Sequence, residues 1–152
     1  MNSHGACLVS AGPDDLEAVM AIEQRCQSHP WSREVMLRYL SKEHVVWRLE
    51  LDGTLIGFAV VTQIAGEAEL LDIAIDPDYQ GRGFGQQLLQ RLLDDVGSKG
   101  NERMFLEVRA SNMPAIAVYE KLGFCQIGVR RNYYPAKIGR EDALMYCQEL
   151  FQ

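Results

Sequence analysis

Gly81, Gly83 and Gly85 fall within five positions of the stretch DPDYQGRGFGQQLL (residues 76–89), just where a helical pattern begins. Glycine gathers at such a place when the backbone needs φ > 0 or when something lies against it. Unsatisfied N–H groups at a helix start, with the helix dipole, make an anion site, and glycines let the oxygens approach. Arg82 adds a positive charge inside the loop. A tight strand-to-helix turn would use the same glycines without any ligand, so the residues alone leave both readings open. A Walker loop would end in Gly-Lys-Ser/Thr, whereas Gly85 is followed by Gln86-Gln87. A dinucleotide fingerprint would set its third glycine one residue later and would follow the first strand.

Other residues have chemistry to offer but also plain structural uses. Glu107 lies mid-strand with Phe105 and Arg109 on its face, and a lone strand glutamate commonly faces solvent or an ion-pair partner. Tyr119 sits in a helical stretch, where a tyrosine is commonly a core residue with its hydroxyl at the edge. Asn112 suits the cap of that helix. Trp31 and the pair Tyr133-Tyr134 can wall a binding site or simply pack, and His29 reads as a loop or capping histidine. Cys7, Cys26, Cys125 and Cys147 form no CxxC pair and no Cys/His spacing suited to zinc, so no metal is expected.

The elements that must position these residues follow from periodicity. A short strand at 6–10 precedes a helix with Pro13 in its first turn and Leu16, Val19, Met20 and Ile22 at helical spacing. Pro30 breaks it, and Ser32 can cap a second helix at 33–40. Strands at 44–51, 54–64 and 67–76 are joined by Asp52-Gly53 and Ala65-Gly66 and should form an antiparallel meander. After the glycines, Leu88, Leu89, Leu92, Leu93 and Val96 mark an amphipathic helix, followed by a strand at 103–110. That strand–helix–strand order predicts a parallel pair. A helix with Pro114 early and Gly123 just past its end comes next. Two last strands, 125–131 and 143–150, are expected to be joined by a long polar loop, 132–142. The expected fold is α+β, or α/β in looser usage. Its single mixed, mostly antiparallel sheet has about seven strands, with helices on both faces.

The chain's 152 residues suit one domain, 1–152, with one core. The net charge of −6 speaks against a general nucleic-acid binder and is compatible with a cationic substrate. The cysteines suit reduced, mostly buried thiols of a cytoplasmic protein. The start MNSHGACLVSAG lacks the pattern of a signal peptide, no stretch reaches the length of a membrane span, and no further domain is expected past the last strand.

Gln80-Gly81-Arg82-Gly83-Phe84-Gly85 resembles the Q/R-x-x-G-x-G/A signature of the Gcn5-related N-acetyltransferases, whose loop holds the pyrophosphate of acetyl-coenzyme A. LDIAIDPDYQGRGFG (71–85) has the family's hydrophobic strand, Asp-Pro and aromatic lead-in, and SNMPAIAVYEKLGF (111–124) is similar to its fourth-motif helix. HPWS (29–32), LEVRASN (106–112) and RRNYYP (130–135) narrow the resemblance to those bacterial members that acetylate the N-terminal alanine of small-subunit ribosomal protein eighteen. The resemblance covers nearly the whole chain. One departure is Gly81, where many relatives carry a larger, often charged residue, so a phosphate contact is missing that Arg82 could replace.

The resemblance implies acetyl-coenzyme A as cosubstrate and attack of a primary amine on its thioester. A terminal amine, with pKa about 8 against about 10.4 for lysine, is roughly a tenth neutral at pH 7 and asks little of a base. By the same resemblance Glu107 accepts the amine proton through water, and Tyr119 protonates the coenzyme A sulfur. Ile73, Ala74 and Ile75 offer backbone groups to the pantetheine arm, Gly81 to Gln86 wrap the pyrophosphate, and Asn112 bonds the pantetheine or nucleotide portion. Trp31, Tyr133 and Tyr134 are candidate walls for the acceptor peptide, and Glu141 and Asp142 could attract an arginine-bearing N-terminal segment. Lys121 and Arg109 are weaker candidates for the phosphates. Other protein N-termini, lysine or small amines, and a non-catalytic acyl-coenzyme A module remain as alternatives.

Overall fold

The computed structural model describes residues 5–150. It has strands β1 (Ala6–Ser10), β2 (Val46–Leu51), β3 (Thr54–Ile64), β4 (Glu67–Ile75), β5 (Arg103–Arg109), β6 (Cys125–Pro135) and β7 (Arg140–Glu149). Its helices are α1 (Leu16–Cys26), α2 (Arg33–Leu40), α3 (Phe84–Ser98) and α4 (Met113–Lys121), with short 3-10 turns at Pro13–Asp15 and Pro77–Tyr79. The strands form one seven-stranded sheet in the order β1-β2-β3-β4-β5-β7-β6. β4 and β5 are parallel, as the intervening helix requires, and β1–β2, β2–β3, β5–β7 and β6–β7 are antiparallel. This is the expected mixed α+β sheet.

By its contacts the chain divides into two compact units. One comprises the residues up to Thr62 with Leu71–Leu92, the other Gln63–Leu70 with Leu93 onward. In the first, Val19, Met20 and Ile22 of α1 and Met36 and Leu40 of α2 join Val46, Phe58, Val60 and Ala74 in one buried cluster. The Ser32 hydroxyl accepts from the Val35 N–H at 3.2 Å and so caps α2, as its position predicts. Asp52-Gly53, with φ 51° and 82°, and Ala65-Gly66, with φ 54° and 83°, are left-handed at both central residues, the geometry of a tight hairpin turn. Gly57 meets a different demand. A Cβ built there would lie 2.6 Å from Ile75 Cδ1 and 3.0 Å from the Ala74 carbonyl oxygen, so a side chain would displace Ile75 and crowd the Ala74 carbonyl where β3 approaches β4.

In the second unit β5 alternates as expected. Met104, Leu106 and Val108 are buried, and Arg103, Phe105, Glu107 and Arg109 line the half-exposed face. The helix α4 starts on Asn112, whose Oδ1 accepts from the Ala115 N–H at 3.3 Å, and it gives way to Gly123 at φ 105°.

Two expectations are corrected here. The cysteines are not mostly buried: Cys7 and Cys125 are exposed, and Cys26 and Cys147 are half-buried. The long polar loop 132–142 is mostly strand: β6 runs to Pro135 and β7 begins at Arg140. The register jumps between Arg130 and Tyr134, around Asn132 at φ 52°. This bulge is held by side chains of β7. Asp142 Oδ1 accepts from the Asn132 N–H at 2.9 Å, and Arg140 donates to the carbonyls of Asn132 and Tyr133, both at 2.8 Å. Tyr133 and Tyr134 therefore stand on a strand, not in a loop. Among the described residues no helix is long and apolar enough to cross a membrane.

Candidate active site

The glycine-rich loop follows β4 and the 3-10 turn at Pro77–Tyr79. Gly81 and Gly83 have φ 80° and 84°, and a Cβ at either would meet nothing within 4 Å. These two glycines are there for backbone conformation, and the loop is open on that side. Gly85 has no positive φ, and a Cβ there would only touch Ile75 Cγ1 at 3.7 Å. The first turn of α3 closes where the Gln87 N–H donates to the Gly83 carbonyl at 3.1 Å. The amides of Phe84, Gly85 and Gln86 precede that bond and have no intrahelical acceptor, which suits an anion at this end.

The side chains around the loop hold it in place. Phe84 is buried and meets the Tyr79 ring edge-on at 6.5 Å. The Arg82 guanidinium lies 5.3 Å from the Tyr79 ring centre and reaches the Asp78 carbonyl at 3.5 Å, both long contacts on an exposed chain. Gln80 Nε2 donates to the Ile75 carbonyl at 2.9 Å, so the first residue of the motif ties the loop back to β4. Of the β4 stretch assigned to the pantetheine arm, Ala74 and Ile75 are buried and Ile73 is half-buried. The Ile73 carbonyl accepts from Gln27 Nε2 at 3.4 Å. Trp31, half-buried, tilts against Tyr39 at 5.2 Å and donates its backbone N–H to Glu23 Oε2 at 2.9 Å.

Within the second unit an open cavity of about 220 Å³ is lined by Glu69, Phe105, Glu107, Ile127, Arg130 and Met145, among others. Glu107 Oε2 accepts from Arg130 Nε in a short ion pair, and the carboxylate is only 22% exposed. That pair pushes the Arg130 guanidinium above its ordinary range. The guanidinium also stands 5.7 Å from the Tyr133 ring centre. Two carboxylates beside small apolar walls can receive a primary amine and take its proton.

Tyr133 and Tyr134 meet edge-on at 5.0 Å. Arg109 stands 4.5 Å over the Tyr134 ring and donates to Glu141 Oε1 at 3.0 Å and to the Pro135 carbonyl at 2.7 Å. Tyr134 has its phenol pushed up to about 12, by burial first and then by the Glu107 charge. Glu141 is held below the ordinary carboxylate range by its bonds to Ser111 and Arg109. Tyr119 is buried on α4, edge-on to Phe124 at 5.9 Å.

The geometry thus joins Glu107 to Tyr133 through Arg130, but neither tyrosine of that pair nor Tyr119 lines the Glu107 cavity. It also redirects three residues. Glu141 accepts from Arg109 and from the Ser111 N–H, and Asp142 from the Asn132 N–H, so both carboxylates hold the local structure. Arg109 donates to Glu141 and to the Pro135 carbonyl. Sequence reasoning missed Arg130, Glu69, Ile127 and Met145 at the cavity. Glu69 sits opposite Phe105 in the predicted β4–β5 pair; nothing in the order of residues marks Arg130, Ile127 and Met145, because β7 lies between β5 and β6.

The comparisons agree with this fold. The chain is 44% identical over 131 residues to the [ribosomal protein bS18]-alanine N-acetyltransferase of Escherichia coli strain K12, covering 86% of this chain and 88% of that protein. It is 39% identical to the protein of the same name from Haemophilus influenzae, covering 86% and 90%. The crystal structure of the ribosomal-protein-S18-alanine N-acetyltransferase from Escherichia coli superposes with a TM-score of 0.91 at 39% identity, covering 97% of this chain and 95% of that one. Residues 16–124 match the family described as the acetyltransferase (GNAT) family. With the glycine-rich loop after β4 and the mixed seven-stranded sheet, these likenesses show that the chain belongs to the GNAT acetyltransferase family.

Proposed function

We propose that this chain is an N-α-acetyltransferase that moves an acetyl group from acetyl-coenzyme A to the N-terminal alanine of small-subunit ribosomal protein eighteen. The observation that carries the reading is Glu107, a half-buried carboxylate in a small open cavity. It supports an acceptor no larger than the end of a peptide. The family and the names of the relatives supply the acetyl donor and the alanine.

In this reading the amine nitrogen attacks the acetyl carbonyl carbon, and the C–N bond forms as the C–S bond breaks. Glu107 takes the amine proton through water, and Tyr119 gives its phenolic proton to the departing thiolate. The first-turn amides of α3 and residues Gly81–Gln86 hold the pyrophosphate. The backbone of Ile73–Ile75 pairs with the pantetheine arm as an added strand would. Asn112 bonds the cofactor when it is bound and caps α4 when it is not. Trp31, Tyr133 and Tyr134 flank the acceptor. The whole chain acts as one catalytic domain, in the cytoplasm where ribosomal proteins are made.

Mass spectrometry of a peptide with a free N-terminal alanine, incubated with acetyl-coenzyme A, tests the reading. A single acetyl on the α-amine is expected, and none on a peptide with a blocked N-terminus. The Arg130–Glu107 pair favours a second reading, a non-catalytic acyl-coenzyme A module, because it occupies the carboxylate that would act as base. Bound cofactor without transfer to any amine would select that reading.

A further inference from the structure

Away from Glu107, two carboxyls are buried side by side. Glu23 on α1 is 1% exposed and Asp72 on β4 is 8% exposed. Gln27 Nε2 donates to Asp72 Oδ1 at 3.1 Å, and the Trp31 N–H donates to Glu23 Oε2 at 2.9 Å. Their other oxygens, Glu23 Oε1 and Asp72 Oδ2, are buried and have no donor of their own. Carboxylate oxygens only accept, so two that meet in an apolar place require a proton between them.

Among the described residues, neither carboxyl is in an ion pair, and the nearby arginines are engaged elsewhere. Arg25, on the same helix, bonds Asp76 at 2.9 Å and Asp78 at 3.3 Å. Arg33 of α2 pairs with Glu17, and Arg48 of β2 pairs with Asp15. Glu34 and Arg38 of α2 and Asp14 before α1 are exposed. Cys26, beside the pair, donates to the Ile75 carbonyl at 3.2 Å. Its thiol is pushed up by burial, then by the charges of Asp76, Glu23 and Asp72, against Arg25.

We propose that Glu23 and Asp72 share one proton, and that this proton positions the acceptor wall by tying α1 to β4 and fixing the Trp31 backbone through Glu23. The inference rests on the reading of Trp31 as a wall of the acceptor site. Glu23 and Asp72 are positioning residues, since neither touches a reacting atom.

Burial first, and the facing Glu23 carboxyl second, push Asp72 up to about 9. Because the folded pair keeps a proton that the unfolded chain gives up, its contribution to stability is full below about pH 4 and declines as pH rises toward the folded value. Beyond that value two charges face each other without water, and the tie to Trp31 loosens. Asp72→Asn replaces the proton with an amide: its NH₂ donates to Glu23, and its oxygen still accepts from Gln27. Glu23→Gln does the same from the other side and serves if the first variant folds poorly.

The test combines infrared spectroscopy with kinetics. A protonated-carboxyl band is expected at pH 7 in the wild type, lost at alkaline pH and absent from both variants. The KM for an N-terminal alanine peptide should rise in the wild type relative to Asp72→Asn with the same midpoint, by up to about tenfold per pH unit beyond it. The KM for acetyl-coenzyme A should not separate the two. Absence of the band at pH 7 overturns the shared proton. A titrating band with a constant ratio of peptide KM overturns the positioning role but leaves the proposed activity standing. No transfer by the wild type to any N-terminal peptide sinks the activity, and the acceptor half of this inference with it, whatever the band shows.

Discussion

Arg130 on β6 reaches across β7 to place its Nε on the carboxylate of Glu107 on β5. The residue assigned as base is thus paired with a cation, and an arriving amine must compete for it. Both side chains reach solvent, so the pair is weak enough to yield. Replacing Arg130 with Gln should raise kcat/KM for the alanine peptide by about two- to fivefold. Replacing Glu107 with Gln should lower it by about a hundredfold or more and move the rate profile to higher pH, where more amine is neutral. Steady-state rates across pH check both. A double variant faster than Glu107→Gln alone would detach Arg130 from the base.

Tyr119 is buried and its ring meets Phe124 edge-on. Tyr119→Phe therefore keeps the packing and removes the transferable proton. Turnover should fall by about a hundredfold or more, with the affinity for acetyl-coenzyme A nearly unchanged. Calorimetric binding alongside rates separates the two quantities, and full turnover would discard Tyr119 as the acid.

The three glycines of the loop should respond differently to alanine. Gly81→Ala and Gly83→Ala force a left-handed backbone on a residue with a Cβ, at a cost of about 1 kcal/mol each. That cost should appear in denaturant unfolding without cofactor. Gly85→Ala meets only ordinary contact with Ile75, so unfolding should barely change. If pyrophosphate lies against this backbone, that variant should bind acetyl-coenzyme A at least about tenfold more weakly. Unchanged affinity in Gly85→Ala would move the phosphates elsewhere.

Tyr134 should be among the last tyrosines to ionise. Its phenol is pushed up to about 12, so the folded chain holds a proton that an unfolded tyrosine gives up near pH 10. Stability from this residue is therefore present below about pH 10 and falls as pH rises toward the folded value. Ultraviolet titration of the wild type against Tyr134→Phe checks it: the difference spectrum should develop only above the ordinary tyrosine range.

Much of this molecule was legible from its residues. The Asp52-Gly53 and Ala65-Gly66 turns were, because left-handed backbone has few tolerant residue types. The β4–α3–β5 unit was, because a glycine-rich turn and a leucine stripe leave little else to build. The stretch 132–142 was misread as loop. Its polar character and Pro135 mark a break in a central strand, but β6 is an edge strand, where exposure and proline are tolerated. Glu23 was overlooked although it continues the buried stripe of Val19 and Met20, because a glutamate there is normally assigned to solvent. The Arg130–Glu107 pair could not be read at all, since it depends on the last strand inserting beside β5.

Gly57 carries a consequence for how the sheet forms. Its missing side chain is matched to one place, beside Ala74 and Ile75. A slip of β3 by one residue would bring Ile56 or Phe58 to that place, where even a methyl group collides. That slip is thereby penalised by volume as well as by the loss of its proper contacts. The strand assigned to the cofactor is aligned by a vacancy, and any substitution that fills it should populate shifted, inactive sheets rather than a merely weaker native one.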